Sequence, residues 1–176
     1  MNLNNNDIEL RKCTFNDFIK VYEYDFNKLT SIWQDIVYVK NSHEKIRDIF
    51  NSIKKELDSQ NNTYNWIIYY QNIPVGHIIA DRENKKIDNS IELSYNLHPN
   101  YWGKGIMKDA IELVCNYLFN YYTNIVISYC TGNEKSKRLL DKLNFKYLKT
   151  NKNAYSRDNK YVDEFVYIKR VDPNER

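Results

Sequence analysis

The chain has 176 residues, enough for one domain with a hydrophobic core. Its hydrophobic fraction of 42%, charged fraction of 28% and net charge of +3 are typical of soluble globular proteins. The basic residues are dispersed, no apolar run approaches the roughly 20 residues of a membrane span, and no signal-peptide pattern is present, so we expect a cytoplasmic protein whose main partner is neither nucleic acid nor a membrane.

Helical patterns dominate the first third of the chain. Residues 8–13 are predicted to form a first strand, and Thr14 is a candidate N-cap of a helix over 14–26. Ser42 is a candidate cap of a second helix, over 42–60, whose apolar residues recur at helical spacing.

The rest of the chain alternates strands with two helices. Three strands are predicted over 63–71, 74–83 and 91–99, and then a long helix over about 103–122 leads into a strand over 124–130 as a βαβ unit with parallel strands. A short helix capped by Asn133 and two strands, 145–150 and 160–170, around a polar loop at 151–159 complete the pattern. With no repeat or linker, residues 1–176 are predicted to be a single α/β domain.

A pair of glycines lies between the strand over 91–99 and the long helix. The chain has only four glycines, and Gly103 and Gly105 are separated by one residue. Glycine is required where φ is positive or where another group comes close to the backbone. A glycine turn that opens a helix leaves backbone N–H groups at the positive end of the helix dipole, which favours phosphate binding. The amides around 101–106 are therefore predicted to bind a diphosphate-bearing ligand.

Other phosphate and metal motifs are missing. There is no Walker A sequence, and the third glycine of a dinucleotide fingerprint is replaced by Lys108. His43, His77 and His98 match no metal-ligand spacing, so we expect no metal.

Several short motifs together resemble the GNAT superfamily of acetyl-CoA-dependent N-acyltransferases, in its RimJ/RimL-like branch. The similarity covers nearly the whole chain and is sharpest over 91–145. It departs from the family pattern at three positions: Asn100 replaces Gln or Arg, Asp109 replaces Glu, and Asn144 replaces Gly. The matching residues are Pro99, Trp102, Gly103, Lys104, Gly105, Ala110, Asn133, Ser136, Leu140, Lys142, Leu143 and Phe145.

This resemblance implies a fold, a cosubstrate and a set of binding residues. The fold would be a mixed α+β one, with a mostly antiparallel, twisted sheet of about seven strands flanked by about four helices. Acetyl-CoA would be the cosubstrate, without a metal, and backbone near Leu97 would line its pantetheine arm and polarise the thioester carbonyl. The residues implied to bind it are Leu97, Tyr101, Trp102, Gly103, Lys104, Gly105, Ile106, Asn133 and Ser136.

Two side chains are candidates for catalysis. Glu92 lies on the polar face of a central strand before the cleft, so we predict that it takes the amine proton, directly or through water. Pairing with a cation, or binding of the acceptor, is the alternative role for this carboxylate. The tyrosine that many family members use near the leaving thiolate is replaced by Leu140, and the branch offers Ser136 instead. Helical spacing directs Ser136 inward, although a first-turn serine can also bond the backbone.

The predicted function is acetyl transfer to a primary amine by direct attack in a ternary complex. The acceptor is left open between a protein N-terminus and a small molecule such as a polyamine, an amino acid or an antibiotic. An acyl-CoA-binding sensor without turnover is the alternative outside enzymes. Tyrosines from Tyr22 to Tyr38, and Tyr155, are candidates for the acceptor pocket. Three aromatic residues of the last strand are expected to be exposed and could pair two chains, which leaves a monomer and a homodimer open: Tyr161, Phe165 and Tyr167.

Overall fold

The protein is described by a computed structural model that covers residues 3–5, 7–14, 16–17, 20–21, 51, 55, 64–81, 87–157 and 160–171. The predicted helices over 14–26 and 42–60 lie mostly outside these residues. Asn16, Asp17, Lys20 and Val21 are helical, as predicted, and the Thr14 hydroxyl accepts a hydrogen bond from the Asp17 amide at 3.2 Å, which is an N-cap contact.

Eight described strands form one sheet in the order β1-β2-β3-β4-β5-β6-β8-β7. The pairs β1–β2, β2–β3, β6–β8 and β7–β8 are antiparallel, while β5–β6 is parallel. The predicted mixed α+β fold is thereby confirmed, with one strand more than the expected seven. The strands are β1 (Leu3–Asn5), β2 (Ile8–Lys12), β3 (Tyr64–Tyr70), β4 (Ile73–Asp81), β5 (Ser90–Leu97), β6 (Asn124–Cys130), β7 (Lys146–Arg157) and β8 (Lys160–Arg170).

The predicted βαβ unit is present. Helix α1 (Ile106–Leu118) connects β5 to β6, whose parallel register runs from Ser90 opposite Asn124 to Leu93 opposite Ile127. The helix is shorter than predicted, because both glycines precede it and residues 119–121 form a turn after it. Its buried residues recur every three or four positions, as an amphipathic helix requires: Ile106, Met107, Ala110, Ile111, Val114, Cys115 and Leu118.

The predicted polar loop over 151–159 is wrong for most of its length. Strand β7 continues to Arg157 and pairs with β8, but its register shifts between Asn151 and Tyr155. Between these two residues β7 advances by four positions, while its partner β8 advances by only two, from Glu164 to Val162. Extra residues on one strand of a pair are the geometry of a bulge. A bulge interrupts the period-2 alternation by which a strand is recognised in sequence, so this polar segment resembled a loop.

Contacts divide the chain into two units, one formed by residues 1–79 and 95–106, the other by residues 80–94 and 107–176. In the first, Leu10, Ile67 and Ile68 are fully buried. In the second, Val126, Val166 and Ile168 form a buried cluster. Of the three aromatic residues expected to be exposed, Tyr161 is exposed and Phe165 is half-buried, but Tyr167 is buried, so the expectation is wrong for Tyr167. In the described part of the chain, no helix has the length and apolarity needed to cross a membrane.

Candidate functional site

The glycine turn connects the end of β5 to α1. A 3-10 turn, Pro99–Tyr101, follows β5, and Gly103 and Gly105 then adopt φ values of 78° and 82°. Residues other than glycine rarely adopt such values. A Cβ atom added to either glycine would meet no atom within 4 Å. Glycine is therefore required here by the backbone conformation, and the space in front of the turn is open to a ligand.

Four consecutive amides of this turn are available to an anion. The Tyr101 amide donates to the His98 carbonyl at 2.9 Å and the Trp102 amide to the Pro99 carbonyl at 3.1 Å, so neither remains for a ligand. The amides of residues 103–106 donate to no backbone carbonyl among the described residues. They immediately precede or begin α1, where the helix dipole is positive. The predicted diphosphate donors are therefore reduced from the amides of residues 101–106 to those of residues 103–106. Backbone N–H groups at the start of a helix suit the pyrophosphate of coenzyme A.

Lys104 adds a positive charge beside these amides. Its Nζ atom lies 4.9 Å from the centroid of the Tyr101 ring, in cation–π contact. The ring of Tyr101 is itself held edge-on by His98 and Tyr70, with centroid separations of 5.8 and 6.0 Å. The cation–π contact thus places the charge of Lys104 over the Tyr101 ring, at the start of the turn.

The end of β5 is held from two sides. The indole Nε1 of Trp102 donates to the Leu97 carbonyl at 2.7 Å, and the His98 amide donates to the Val75 carbonyl at 2.8 Å. On β4, a Cβ atom added to Gly76 would lie 2.3 Å from the Asn96 carbonyl oxygen. The absence of a side chain at Gly76 therefore allows this close approach of two backbones. Trp102 and Leu97, both predicted to bind the cofactor, are in direct contact.

Glu92 is half-buried on β5, in agreement with its predicted place on a polar face. The Ser128 hydroxyl of β6 donates to its Oε1 atom over a long 3.4 Å. Buried and more exposed residues alternate from Ile91 to Ser94, but the alternation then ends, because Asn96 is buried.

A second carboxylate, Glu164 of β8, was not identified from the sequence. Asn151 Nδ2 donates to its Oε2 atom at 2.6 Å, and the Tyr155 hydroxyl donates to its Oε1 atom at 3.0 Å. Partial burial raises the pKa of Glu164, but the hydrogen bonds from Asn151 and Tyr155, the nearby Ser128 hydroxyl and the charge of Lys149 together outweigh burial and lower that pKa. The one feature of the sequence that could have indicated a polar site here was Ser128, a polar residue within a largely apolar strand.

Helix α2 (Glu134–Lys142) positions Asn133 and Ser136. The Asn133 side chain accepts a hydrogen bond from the Ser136 amide at 3.2 Å, so its predicted N-cap role is confirmed. Ser136 is half-buried, while Lys135, Lys137 and Lys142 are exposed, which matches the predicted inward face. Leu140 is fully buried in the core and provides no polar atom at this position.

The remaining predicted residues are scattered. No group of three or more His, Cys, Asp and Glu residues in the described segments could hold a metal ion. Burial lowers the pKa of His77 to about 4. His43, and the tyrosines from Tyr22 to Tyr38 that were candidates for the acceptor pocket, lie outside the described residues.

Comparison with known proteins identifies a family and several structures of the same fold. The family model of the acetyltransferase (GNAT) domain matches residues 7–146. RimL, a ribosomal L7/L12 alpha-N-protein acetyltransferase in complex with coenzyme A, is similar at a TM-score of 0.82 and 17% identity, over 98% of this chain and 99% of that chain. A search of curated proteins found no significant match.

Two further structures share the fold. Ribosomal-protein-S5-alanine acetyltransferase from Vibrio fischeri has a TM-score of 0.79 at 20% identity, over 98% of each chain. The microcin C7 self-immunity acetyltransferase MccE, in complex with acetyl-CoA and AMP, has a TM-score of 0.79 at 17% identity, over 95% of this chain and 94% of that chain.

The family match covers most of the chain and both of its contact units. The RimL and RimJ proteins among the structural neighbours agree with the RimJ/RimL-like motifs of the sequence. The predictions of an N-acetyltransferase and of acetyl-CoA as its cosubstrate are thereby confirmed. The chain belongs to the acetyltransferase (GNAT) family.

Proposed function

We propose that the protein acetylates the free α-amino group at the N-terminus of a protein in the cytoplasm, with residues 1–176 acting as one catalytic domain. The observation that carries acetyl-CoA binding is the run of four amides at the start of α1, those of residues 103–106, for which the described residues provide no backbone acceptor. The acceptor class is supported by structural neighbours that modify the N-terminal serine of ribosomal L7/L12 or the alanine of ribosomal S5.

Different residues would bind different parts of acetyl-CoA. The amides of 103–106 and the charge of Lys104 would hold the pyrophosphate, and Asn133 would contact the pantetheine arm while it caps α2. Trp102 contributes by fixing the end of β5, since its indole holds the Leu97 carbonyl at 2.7 Å. The Leu97 amide would then donate to the thioester carbonyl and stabilise the negative charge that develops there.

Glu92 would accept the proton that the acceptor amine must lose. An alkyl ammonium has a pKa near 10, so attack at neutral pH requires a base. Glu92 is half-buried on a central strand, and its hydrogen bond from Ser128 is long, at 3.4 Å. Its carboxylate is therefore only weakly held by that hydroxyl.

Ser136 would donate a hydrogen bond to the coenzyme A thiolate as it leaves. Its amide is already bonded to Asn133, so its hydroxyl is not needed for the helix cap. Position 140 has a leucine that is buried in the core, so it provides no hydroxyl that could take this role in place of Ser136.

The proposal is tested by following release of free thiol from acetyl-CoA with tetrapeptide amides that begin with alanine or serine. We expect turnover with both peptides, none with their N-acetylated forms, and slower turnover with spermidine. In Glu92→Gln, kcat should fall at least tenfold, which corresponds to about 1.4 kcal/mol of transition-state stabilisation. Preference for spermidine would overturn the peptide acceptor, and unchanged kcat in Glu92→Gln would overturn the base.

A further inference from the structure

His98 connects the sheet to the turn that leads into the two glycines. The residue follows the last residue of β5, and its amide donates to the Val75 carbonyl of β4 at 2.8 Å. Its carbonyl accepts a hydrogen bond from the Tyr101 amide at 2.9 Å. Both backbone groups of His98 are therefore hydrogen-bonded, one to the neighbouring strand and the other within the 3-10 turn.

The side chain of His98 caps this turn. Because a proline disfavours the helical conformation in the residue before it, Pro99 favours an extended His98, whose φ is −55° and ψ is 133°. N-cap residues typically have such an extended conformation. From this position the Nδ1 atom accepts a hydrogen bond from the Asn100 amide at 3.1 Å. A histidine nitrogen accepts only when it carries no proton, and burial lowers the pKa of His98, which favours the neutral ring.

The ring of His98 makes a second contact, with the ring of Tyr101. The two ring centroids are 5.8 Å apart and the ring planes are inclined by 75°, which is an edge-to-face arrangement. The Nζ atom of Lys104 lies over the same Tyr101 ring, 4.9 Å from its centroid. His98 thus contacts the turn through both a capping nitrogen and an aromatic ring, and substitutions can remove either one.

We propose that His98 is a positioning residue for acetyl-CoA, whose Nδ1 atom fixes the turn that directs the amides of residues 103–106 at the pyrophosphate. This inference rests on the proposed binding of the pyrophosphate by those amides. The connection is short, because Nδ1 holds the Asn100 amide, the Trp102 amide donates to the Pro99 carbonyl at 3.1 Å, and Gly103 follows directly. A turn that is already formed loses less conformational freedom when the ligand binds, so the ligand binds more tightly.

The test compares two substitutions of His98 by calorimetric titration of the full chain with acetyl-CoA. His98→Phe keeps an aromatic ring and removes the capping nitrogen, so Kd should rise about fivefold, as expected for the loss of one N-cap hydrogen bond. His98→Asn removes the ring but supplies a side-chain oxygen that is favoured at N-caps, so Kd should stay within about twofold of the wild-type value. In both variants kcat at saturating acetyl-CoA should change less than about twofold, because a positioning effect on cosubstrate binding leaves the reacting groups in place.

Asn120→Ala is a matched control. The Asn120 side chain donates to the Asn116 and Tyr117 carbonyls at 3.2 and 3.0 Å, so this substitution also removes side-chain hydrogen bonds to the backbone, but beyond the other end of α1. It should leave Kd for acetyl-CoA unchanged. His98→Tyr, which also keeps a ring and lacks the capping nitrogen, replaces His98→Phe if that variant does not fold. Thermal unfolding of each variant shows whether a substitution acts on stability alone.

The outcomes separate this inference from the proposed function, because Gly103→Val tests the amides of the glycine turn independently. If Gly103→Val weakens acetyl-CoA binding but His98→Phe lowers only the unfolding temperature, the positioning role is overturned while the amides remain the binding site. The same conclusion follows if His98→Asn binds acetyl-CoA as weakly as His98→Phe. If Gly103→Val leaves Kd unchanged, both the binding site and the positioning role are overturned.

Discussion

The Trp102 indole and the Leu97 carbonyl oxygen are 2.7 Å apart, in a hydrogen bond that ties the glycine turn to the end of β5. The same peptide group is held at its other end, where the His98 amide donates to the Val75 carbonyl at 2.8 Å. Both polar ends of the peptide that follows Leu97 are therefore fixed. The glycine turn is thus linked directly to the end of β5.

Replacement of Trp102 by phenylalanine tests the hydrogen bond between Trp102 and the Leu97 carbonyl. Trp102→Phe keeps an aromatic ring and removes the indole N–H, which leaves the Leu97 carbonyl without its donor. A hydrogen bond of this kind contributes about 1 kcal/mol, so we expect acetyl-CoA to bind roughly fivefold more weakly. Calorimetric titration measures the change. Unaltered affinity with an unaltered kcat would show that the contact has no role in the site.

Gly76 should be intolerant of any side chain. Its added Cβ would lie 2.3 Å from the Asn96 carbonyl oxygen, which belongs to the same peptide group as the Leu97 amide. Gly76→Ala must therefore displace the proposed thioester donor as well as strain the sheet, at a cost of about 1–3 kcal/mol in stability. We expect kcat to fall more than tenfold in protein that is still folded at 20 °C. Full activity in a folded Gly76→Ala protein would contradict the role of the Leu97 amide.

The effect of a substitution at Gly103 should depend on whether the new residue tolerates positive φ, and not on the size of its side chain. A Cβ atom there meets nothing within 4 Å, but φ is 78°. Valine strongly disfavours positive φ, whereas asparagine tolerates it, as Asn72, Asn89, Asn144 and Asn153 do elsewhere in this chain. We expect Gly103→Val to weaken acetyl-CoA binding at least tenfold and Gly103→Asn to weaken it less. Equal losses would indicate that the turn is insensitive to φ.

The roles of Ser136 and Asn133 can be distinguished, because substitution of the first should change kcat and substitution of the second should change stability. Ser136→Ala keeps the amide that Asn133 caps, so stability should be nearly unchanged while kcat falls roughly tenfold. Asn133→Ala removes the cap and should lower the free energy of unfolding by about 1 kcal/mol. Thermal unfolding and steady-state kinetics measure both effects. A Ser136→Ala enzyme with full turnover would exclude a contact with the thiolate.

Acidification should destabilise the fold through His77. Burial lowers the pKa of His77 to about 4, whereas an unfolded histidine titrates near 6.5. The unfolded state therefore binds the proton first, and stability is lost as the pH falls from about 6.5 to 4, by up to roughly 3 kcal/mol. His77→Gln should show a shallower loss of the unfolding temperature over this range. Parallel pH profiles for the two proteins would contradict this assignment.

Local features of the site could be predicted from the sequence because neighbours along the chain determine them. The conformation at Gly103 and Gly105, the Asn133 cap and the inward face at Ser136 depend on steric limits and helical spacing within a few residues. The β5–α1–β6 unit followed from hydrophobic periodicity for the same reason. Strand β1 was missed because three residues of low strand preference gain their structure from pairing with β2.

The sequence by itself determined the family, the glycine turn and the two candidate catalytic side chains, since each is encoded in a short run of residues. Only the tertiary structure revealed that Trp102 holds Leu97 and that Gly76 makes room for Asn96. The first contact closes the turn that follows β5, and the second joins the neighbouring strands β4 and β5. Strand pairing and register, which no local preference sets, decide which side chains meet.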